Sequence, residues 1–356
     1  MKKILVVILG IIAFAIISLC IAYNIGLRPV SRDNTEVEFM VESGSTYYGV
    51  INKLKEKGLI KNEFCFKLYV KFNNLNNIEA GTYKLRKNMS VDDIVKVFSK
   101  GNTYNPDAIV ITFKEGKNMR WIANTISAKT NNTVDDVYSL LSDREYLNSL
   151  IEGYWFIDEH ILDENIYYSL EGYLFPDTYE FKSKDVTVKE IFKVMLDQMD
   201  SKLNLYKVAI QESSYSPHEI LTLASIIELE CSNKDNKKDV SGVFYNRLNS
   251  NWSLGSDVTT YYAAKVDLNE RDLYAEEIEA ENYYNTRSSF LSGRLPIGPI
   301  CSPSIESIIA ALYPEDNDYY YFVSDKNGKI YFSKTYQQHI QTREDLINSD
   351  LWYTYE

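Results

Sequence analysis

The chain has 356 residues, a formal net charge of −12 at pH 7 and a pI near 5.0. Binding a polyanion needs a basic face, so this balance argues against a nucleic-acid partner and is compatible with a neutral glycan. A hydrophobic content of 45 % allows a real core, and the length suits two domains, or one large domain with a small companion.

Met1-Lys2-Lys3 precede an unbroken apolar run from Ile4 to Tyr23. At about 1.5 Å of helix rise per residue this run is roughly 30 Å long, the thickness of a bilayer's hydrocarbon core. A cleaved signal peptide shares the basic start, but the run exceeds the usual signal core and Ile21-Ala22-Tyr23 offers no small-x-small cleavage site. The expectation is a cytoplasmic tail at 1–3, a transmembrane helix at 4–23 and a tether at 24–36. Lys2 and Lys3 favour a cytoplasmic N-terminus at the cell membrane, with everything after the span outside.

The first folded unit is expected at 37–103. Val37-Glu38-Phe39-Met40-Val41 alternates like a strand, 48–57 and 62–72 carry helix-spaced apolar residues, and 81–85 is a second strand. A helix over 91–99 follows Ser90 as a cap, with Asp93 in its first turn. Another strand, 108–113, is followed by Glu115-Gly116 and a helix through Ile122 and Ile126, a loose repeat of the first strand, turn and helix. From 117 to 200 the pattern is mainly helical, broken by a loop at 172–179. Helices follow at 219–231 and 238–248, then a Pro/Gly-rich loop at 293–303, a helix at 304–312 and a hairpin pairing 319–323 with 330–332. The fold class is α+β, with segregated helices and short sheets.

Cys20, Cys65, Cys231 and Cys301 show no C-x-x-C spacing, and His160, His218 and His339 are isolated. Neither a metal nor a cofactor is expected; a Cys231–Cys301 bridge is the remaining disulfide option, and each histidine reads as a surface or core residue.

The most informative segment is Ile220-Leu-Thr-Leu-Ala-Ser-Ile-Ile-Glu-Leu-Glu-Cys231. On a wheel at about 100° per residue Glu230 falls inside the apolar arc, between Leu223 and Ile226, whereas Glu228 falls on its other margin. The two point about 160° apart, so they cannot form the facing carboxylate pair of an ordinary glycosidase. A Glu bordered by Leu and Ile is desolvated, which raises its pKa and suits it to general acid work. The plainer alternative is that both glutamates solvate the end of an amphipathic helix.

The company of this segment separates the two. It is preceded by Gly172-Tyr-Leu-Phe-Pro-Asp-Thr-Tyr179 and followed by Val243-Phe-Tyr-Asn-Arg-Leu248, Leu254-Gly-Ser-Asp-Val-Thr259, Tyr284-Asn-Thr286, Leu295-Pro-Ile-Gly-Pro-Ile300 and Tyr320-Tyr-Phe-Val323. In this order and spacing the chain resembles the YceG-like family of endolytic murein transglycosylases over nearly its whole length.

The resemblance implies a small LysM-like subdomain over 37–103 and a larger mixed catalytic domain over 104–356. It places the catalytic glutamate, the second Glu of the Ala-Ser-Ile-Ile-Glu-Leu-Glu motif, at Glu230. The implied reaction is cleavage of the β-1,4 bond between N-acetylmuramic acid and N-acetylglucosamine without water, leaving a 1,6-anhydro ring. The partners implied are peptidoglycan glycan strands and the cell-wall synthases that make them, and the implied role is limiting strand length. Tyr245, Asn246, Asp257, Asn285, Thr286, Phe175 and Asp177 are the substrate-binding candidates carried over from matching motifs. Val258, Arg287 and Ser302-Pro303-Ser304 depart from the family pattern and bear on the groove's shape. A non-catalytic glycan-binding scaffold and a hydrolase are the alternatives.

Overall fold

The computed structural model describes residues 2–101, 105–268 and 270–352. The expected end of the first unit at 103 lies outside them. By internal contacts the chain divides into Met1–Ala108 and Ile109–Glu356.

In the first unit, helix α1 (Lys2–Leu27) contains an apolar window, Val7–Leu27, in which only Gly26 is buried. Side chains such as Phe14 and Leu19 stand free around it, which suits a lipid solvent and no water-soluble core. The helix runs through Leu27, so the start of the expected tether is helical: Ile25 and Gly26 are as compatible with helix as the residues before them, and Pro29 lies beyond the end.

Strand β1 (Glu36–Val41) leads to α2 (Ile51–Glu56), α3 (Glu63–Phe72) and β2 (Gly81–Arg86), with β1 and β2 antiparallel and Phe39 opposite Tyr83. Alternation puts Phe39, Val41, Tyr83 and Leu85 inward, where they meet Ile51, Leu54, Phe66 and Val70. Helix α4 (Val91–Ser99) closes this core with Phe98, whose ring stands edge-on to Tyr83 at 4.8 Å. The expected cap is present as a capping box, Ser90 and Asp93 each bonding the other's backbone N–H.

The second unit opens with β3 (Ile109–Thr112), α5 (Met119–Lys129), α6 (Val134–Leu141) and α7 (Arg144–Gly153). β3 pairs antiparallel with β4 (Thr178–Phe181), a strand that begins in the expected loop at 172–179 and runs into the stretch expected as mainly helical. The loose repeat therefore extends to a returning antiparallel strand in both places, but two helices intervene in the first unit and three in the second. Helices α8 (Val188–Leu203) and α9 (Lys207–Glu212) follow, then α10 (Pro217–Glu230), α11 (Lys237–Asn249), α12 (Asp257–Ala263), α13 (Ala275–Glu279) and α14 (Ile305–Leu312). The hairpin β5 (Tyr321–Ser324) and β6 (Ile330–Ser333) and a last helix, α15 (Tyr336–Asn348), complete the chain. The architecture is α+β, with three two-stranded sheets among the described residues.

α10 is the axis of this unit. Ser216 and Glu219 form a capping box, Pro217 occupies the first turn, and every residue from Ile220 to Ile227 is buried. It packs against α11, α12 and α14, so its middle is sealed and only its two end turns reach the surface. Glu171 is buried beside this core, its Oε2 accepting from the Met119 N–H at 3.0 Å and from the Tyr262 hydroxyl at 3.0 Å. Burial pushes its carboxyl up to about 7.

Candidate active site

The end of α10 presents Glu228, Leu229 and Glu230, all half-buried, before the chain turns away at Cys231. Glu230 opens into a cleft of about 320 Å³, whose walls come from α11 (Phe244, Arg247), the loop 254–258, Arg287, strand β5 and His339 of α15. Its carboxyl keeps a face on the cleft, yet enough protein surrounds it that desolvation raises its pKa. The negative charge of Asp257 adds to the rise, while a hydrogen bond from Ser256 and the charge of Arg247 oppose it. The Ser256 hydroxyl donates to Glu230 Oε1 at 2.5 Å.

The loop is held by buried hydroxyls. Ser256 N–H donates to Thr286 Oγ1 at 3.0 Å, Thr259 Oγ1 donates to the Ser256 carbonyl at 2.7 Å, and Gly255 N–H bonds the Thr286 carbonyl at 3.0 Å. Gly255 takes φ +59°, a left-handed conformation that a side chain would strain. On the opposite wall Arg247 donates its Nε to the Tyr320 carbonyl at 2.8 Å and lies over the Tyr321 ring at 5.7 Å. The His339 ring stacks on the same Tyr321 at 5.5 Å. Burial lowers the pKa of His339, helped by Arg247 and Arg343, which keeps the imidazole neutral near pH 7. At the rim Asp257 and Arg287 form an ion pair.

Glu228 faces away into a different environment. It accepts from Lys237 Nζ at 2.8 Å, from Ser307 Oγ at 2.6 Å, from Ser304 N–H at 3.0 Å and from the Ser304 hydroxyl. Burial alone would raise its pKa, but these donors outweigh that and hold the carboxyl below its usual value.

Of the residues expected from sequence, Glu230 and Asp257 line the cleft together, and Asp257 opens α12, with Ser256 as the residue before it. The others lie elsewhere. Tyr245 donates its hydroxyl to the Ala311 carbonyl at 2.7 Å, tying α11 to α14. Asn246 donates to the carbonyls of Asn317 and Tyr319, both at 2.9 Å, and so fixes the approach to β5. Asn285 is fully buried, accepting from Thr260 at 2.8 Å and donating to Ala280 O at 2.8 Å. Thr286 is fully buried and acts through Ser256. Phe175 is a core residue, and the exposed Asp177 bonds Gln198 at 3.0 Å. The motif asparagines and hydroxyls thus satisfy backbone groups that shape the walls, a demand that sequence spacing does not distinguish from sugar contact.

The Pro/Gly loop at 295–299 is likewise no cleft wall; its Ile297 carbonyl meets His218 Nε2 at 2.7 Å. His218 is a core histidine, as expected. Cys231 and Cys301 are free thiols, each bonded to a backbone carbonyl, so the disulfide option falls. Val258 and Arg287, singled out from sequence as bearing on the groove's shape, both line the cleft, whereas Ser304 bonds Glu228. Sequence reasoning missed Arg247, Ser256, Tyr321 and His339 as cleft residues; the first three stood inside quoted motifs, while His339 gave no local signal.

The second unit is a mixed α+β unit in which one glutamate, Glu230, its pKa raised by desolvation, faces an open cleft lined by arginines and aromatic rings. The chain belongs to the YceG-like family, which it matches over residues 39–345. It is 35 % identical over 325 residues to the endolytic murein transglycosylase of Bacillus subtilis strain 168, covering 91 % of this chain and 88 % of that one. To the endolytic murein transglycosylase of Streptococcus pneumoniae R6 it is 31 % identical over 341 residues, covering 91 % of this chain and 61 % of the relative. A crystal structure of a yceG-like protein from Listeria monocytogenes superposes with a TM-score of 0.61 at 34 % identity, over 86 % of this chain and 99 % of that one.

Proposed function

We propose that this chain is an endolytic murein transglycosylase that cuts the glycan strands of peptidoglycan, with Glu230 as both acid and base. The observation that carries the reading is the Glu230 carboxyl, raised in pKa by desolvation and facing a cleft that family-motif residues border. The names of the relatives agree in reaction class.

The protonated Glu230 donates to the bridging oxygen as the bond from C1 of the muramic acid breaks, and the next sugar leaves as an alcohol. The resulting carboxylate takes the proton of the C6 hydroxyl while that oxygen closes on C1. One bond breaks, one forms, no water enters, and Glu230 ends protonated. Because ring closure is intramolecular, a second carboxylate to activate water is unnecessary. Asp257 adds negative charge to the cleft where positive charge develops on the sugar, and Arg287 holds that carboxylate at the rim.

The location follows from α1, read as a retained span with a cytoplasmic N-terminus and the second unit outside. The strand-helix-helix-strand order of β1, α2, α3 and β2 supports a LysM-like glycan-binding role for the first unit. A membrane-held cutter would meet strands as synthases extrude them.

The test is digestion of intact murein by the full chain and by Glu230→Gln, with mass spectrometry of the new ends. The expected result is anhydro-muramic ends from the unsubstituted protein and a loss of about 100-fold or more with Glu230→Gln, strand binding being kept. Ends heavier by one water would replace this reading with a hydrolase, and no new ends from the unsubstituted protein would make it a scaffold.

A further inference from the structure

The first unit carries a surface that its own fold leaves unexplained. On α3, Phe66 and Val70 are buried in the core, while Phe64 and Phe72 are 67 % and 68 % exposed. Lys67 and Lys71 stand exposed between them, and among the described residues neither is in an ion pair. On a wheel at about 100° per residue these side chains, with the half-buried Leu68, occupy one arc of about 140°. A basic-aromatic face of this kind is what a helix lying in a lipid interface presents, with rings in the apolar boundary and lysines among headgroups.

The position of α3 relative to α1 supplies the second observation. The Tyr23 ring near the end of the apolar window stands edge-on to Phe72 at 6.2 Å. Gly26 lies so close to Cys65 that a Cβ there would clash with the thiol, and it faces Asn62 as well. α3 therefore meets α1 at Tyr23 and Gly26, in the last turns of the apolar window. Tyr23 is of a residue type enriched at the membrane–water boundary. If α1 crosses the bilayer, Phe72 is already at its surface.

We propose that α3 is a membrane-docking helix, seated in the outer headgroup layer with Phe64 and Phe72 in the apolar boundary and Lys67 and Lys71 against anionic lipid. This rests on the reading of α1 as a retained span. The occupant is the lipid surface itself, because the face is continuous with the lipid-facing end of α1 and carries positive charge on a chain whose net charge is −12. Glu63, at the helix's first turn, is the single carboxylate of α3. Docking would hold the first unit down on the bilayer instead of letting it swing from the short segment after Leu27.

The test uses the full chain in lipid nanodiscs of phosphatidylcholine with one third phosphatidylglycerol, with tryptophan placed in turn by Phe64→Trp, Phe72→Trp, Phe14→Trp and Lys57→Trp. Quenching by lipids brominated near the headgroup end of their chains, or near the tail end, reports depth. The expected result is shallow quenching for Phe64→Trp and Phe72→Trp at least twice that of the parent, deep quenching for Phe14→Trp, and none added at the exposed Lys57. Combining Lys67→Glu with Lys71→Glu should remove at least half of the added signal at position 64. If Phe14→Trp is quenched and both α3 reporters stay at the parent level, docking is overturned and the span stands. If Phe14→Trp is not quenched, the span fails and docking fails with it.

Discussion

Ser256→Ala isolates the interaction that sets the protonation of Glu230. The hydroxyl donates to Oε1 at 2.5 Å and stabilises the carboxylate, so its loss should raise the Glu230 pKa further. A hydrogen bond to a charged group contributes about 1.5–3 kcal/mol, which at about 1.36 kcal/mol per pH unit corresponds to about one to two units. Water from the open cleft can replace part of the lost donor, which brings the expected rise to about one unit. The assay is the rate of product release from murein as a function of pH. The limb on which activity falls because Glu230 has lost its proton should move to higher pH by about one unit in Ser256→Ala and return in Ser256→Thr. The backbone N–H of Ser256 keeps its bond to Thr286, so the loop should hold its place. A limb that stays put or moves to lower pH, in a protein of unchanged thermal stability, would refute the assignment of Ser256 as a donor to the working carboxyl.

Lys237→Met leaves Glu228 buried without its cation, and should cost about 3–5 kcal/mol, read as a lowered denaturant midpoint, whereas adding Glu228→Gln should recover most of it. Because the folded-state pKa of Glu228 is depressed, its contribution should be present above its unfolded value and be lost as pH falls through the folded one. Glu171 has the opposite sign: with its pKa raised from 4.5 to about 7, stability should fall by up to about 3 kcal/mol as pH rises across that interval and level off above it. Glu171→Gln should flatten that dependence in denaturant midpoints measured from acid to neutral pH. Arg287→Gln uncovers the charge of Asp257, which raises the Glu230 pKa; the activity limb should move up by less than one unit at low salt and by almost nothing at high salt, the pair being largely exposed.

How much of this was legible in the sequence depended on how local each signal was. Helix starts were readable because a cap and its partner sit three residues apart, as with Ser90 and Asp93. The depth of α10 was readable because eight consecutive residues, Ile220 to Ile227, admit no charge. β4 escaped because its partner β3 lies far upstream, so that no hairpin turn marks the pairing as it does for β5 and β6. α15 escaped because only Leu346 among its residues is buried, which leaves almost no apolar period to detect. The loss of α15 carried His339 with it, although that histidine stacks on a cleft tyrosine. Family motifs marked the neighbourhood of the site correctly, yet could not sort residues that touch a ligand from residues that hold a wall. Thr286 and Asn246 look alike as polar motif positions, and only the fold shows both bonding the chain itself.

The two glutamates at the end of α10 show how one helix turn separates structure from chemistry. They are two residues apart and so face nearly opposite ways, and the protein answers them with opposite surroundings. Glu228 meets a lysine, two hydroxyls and a backbone N–H, four donors that converge on its Oε2 and favour the anion. Glu230 meets one hydroxyl, with Asp257 and Arg247 acting in opposite directions from the same cleft, so the rise set by desolvation is left standing. A carboxyl held by four donors, one of them a lysine, gives up part of that hold when it accepts a proton. A carboxyl with one donor and one open face can hold a proton, give it to a leaving oxygen and take another, which is the cycle that ring closure on the sugar requires.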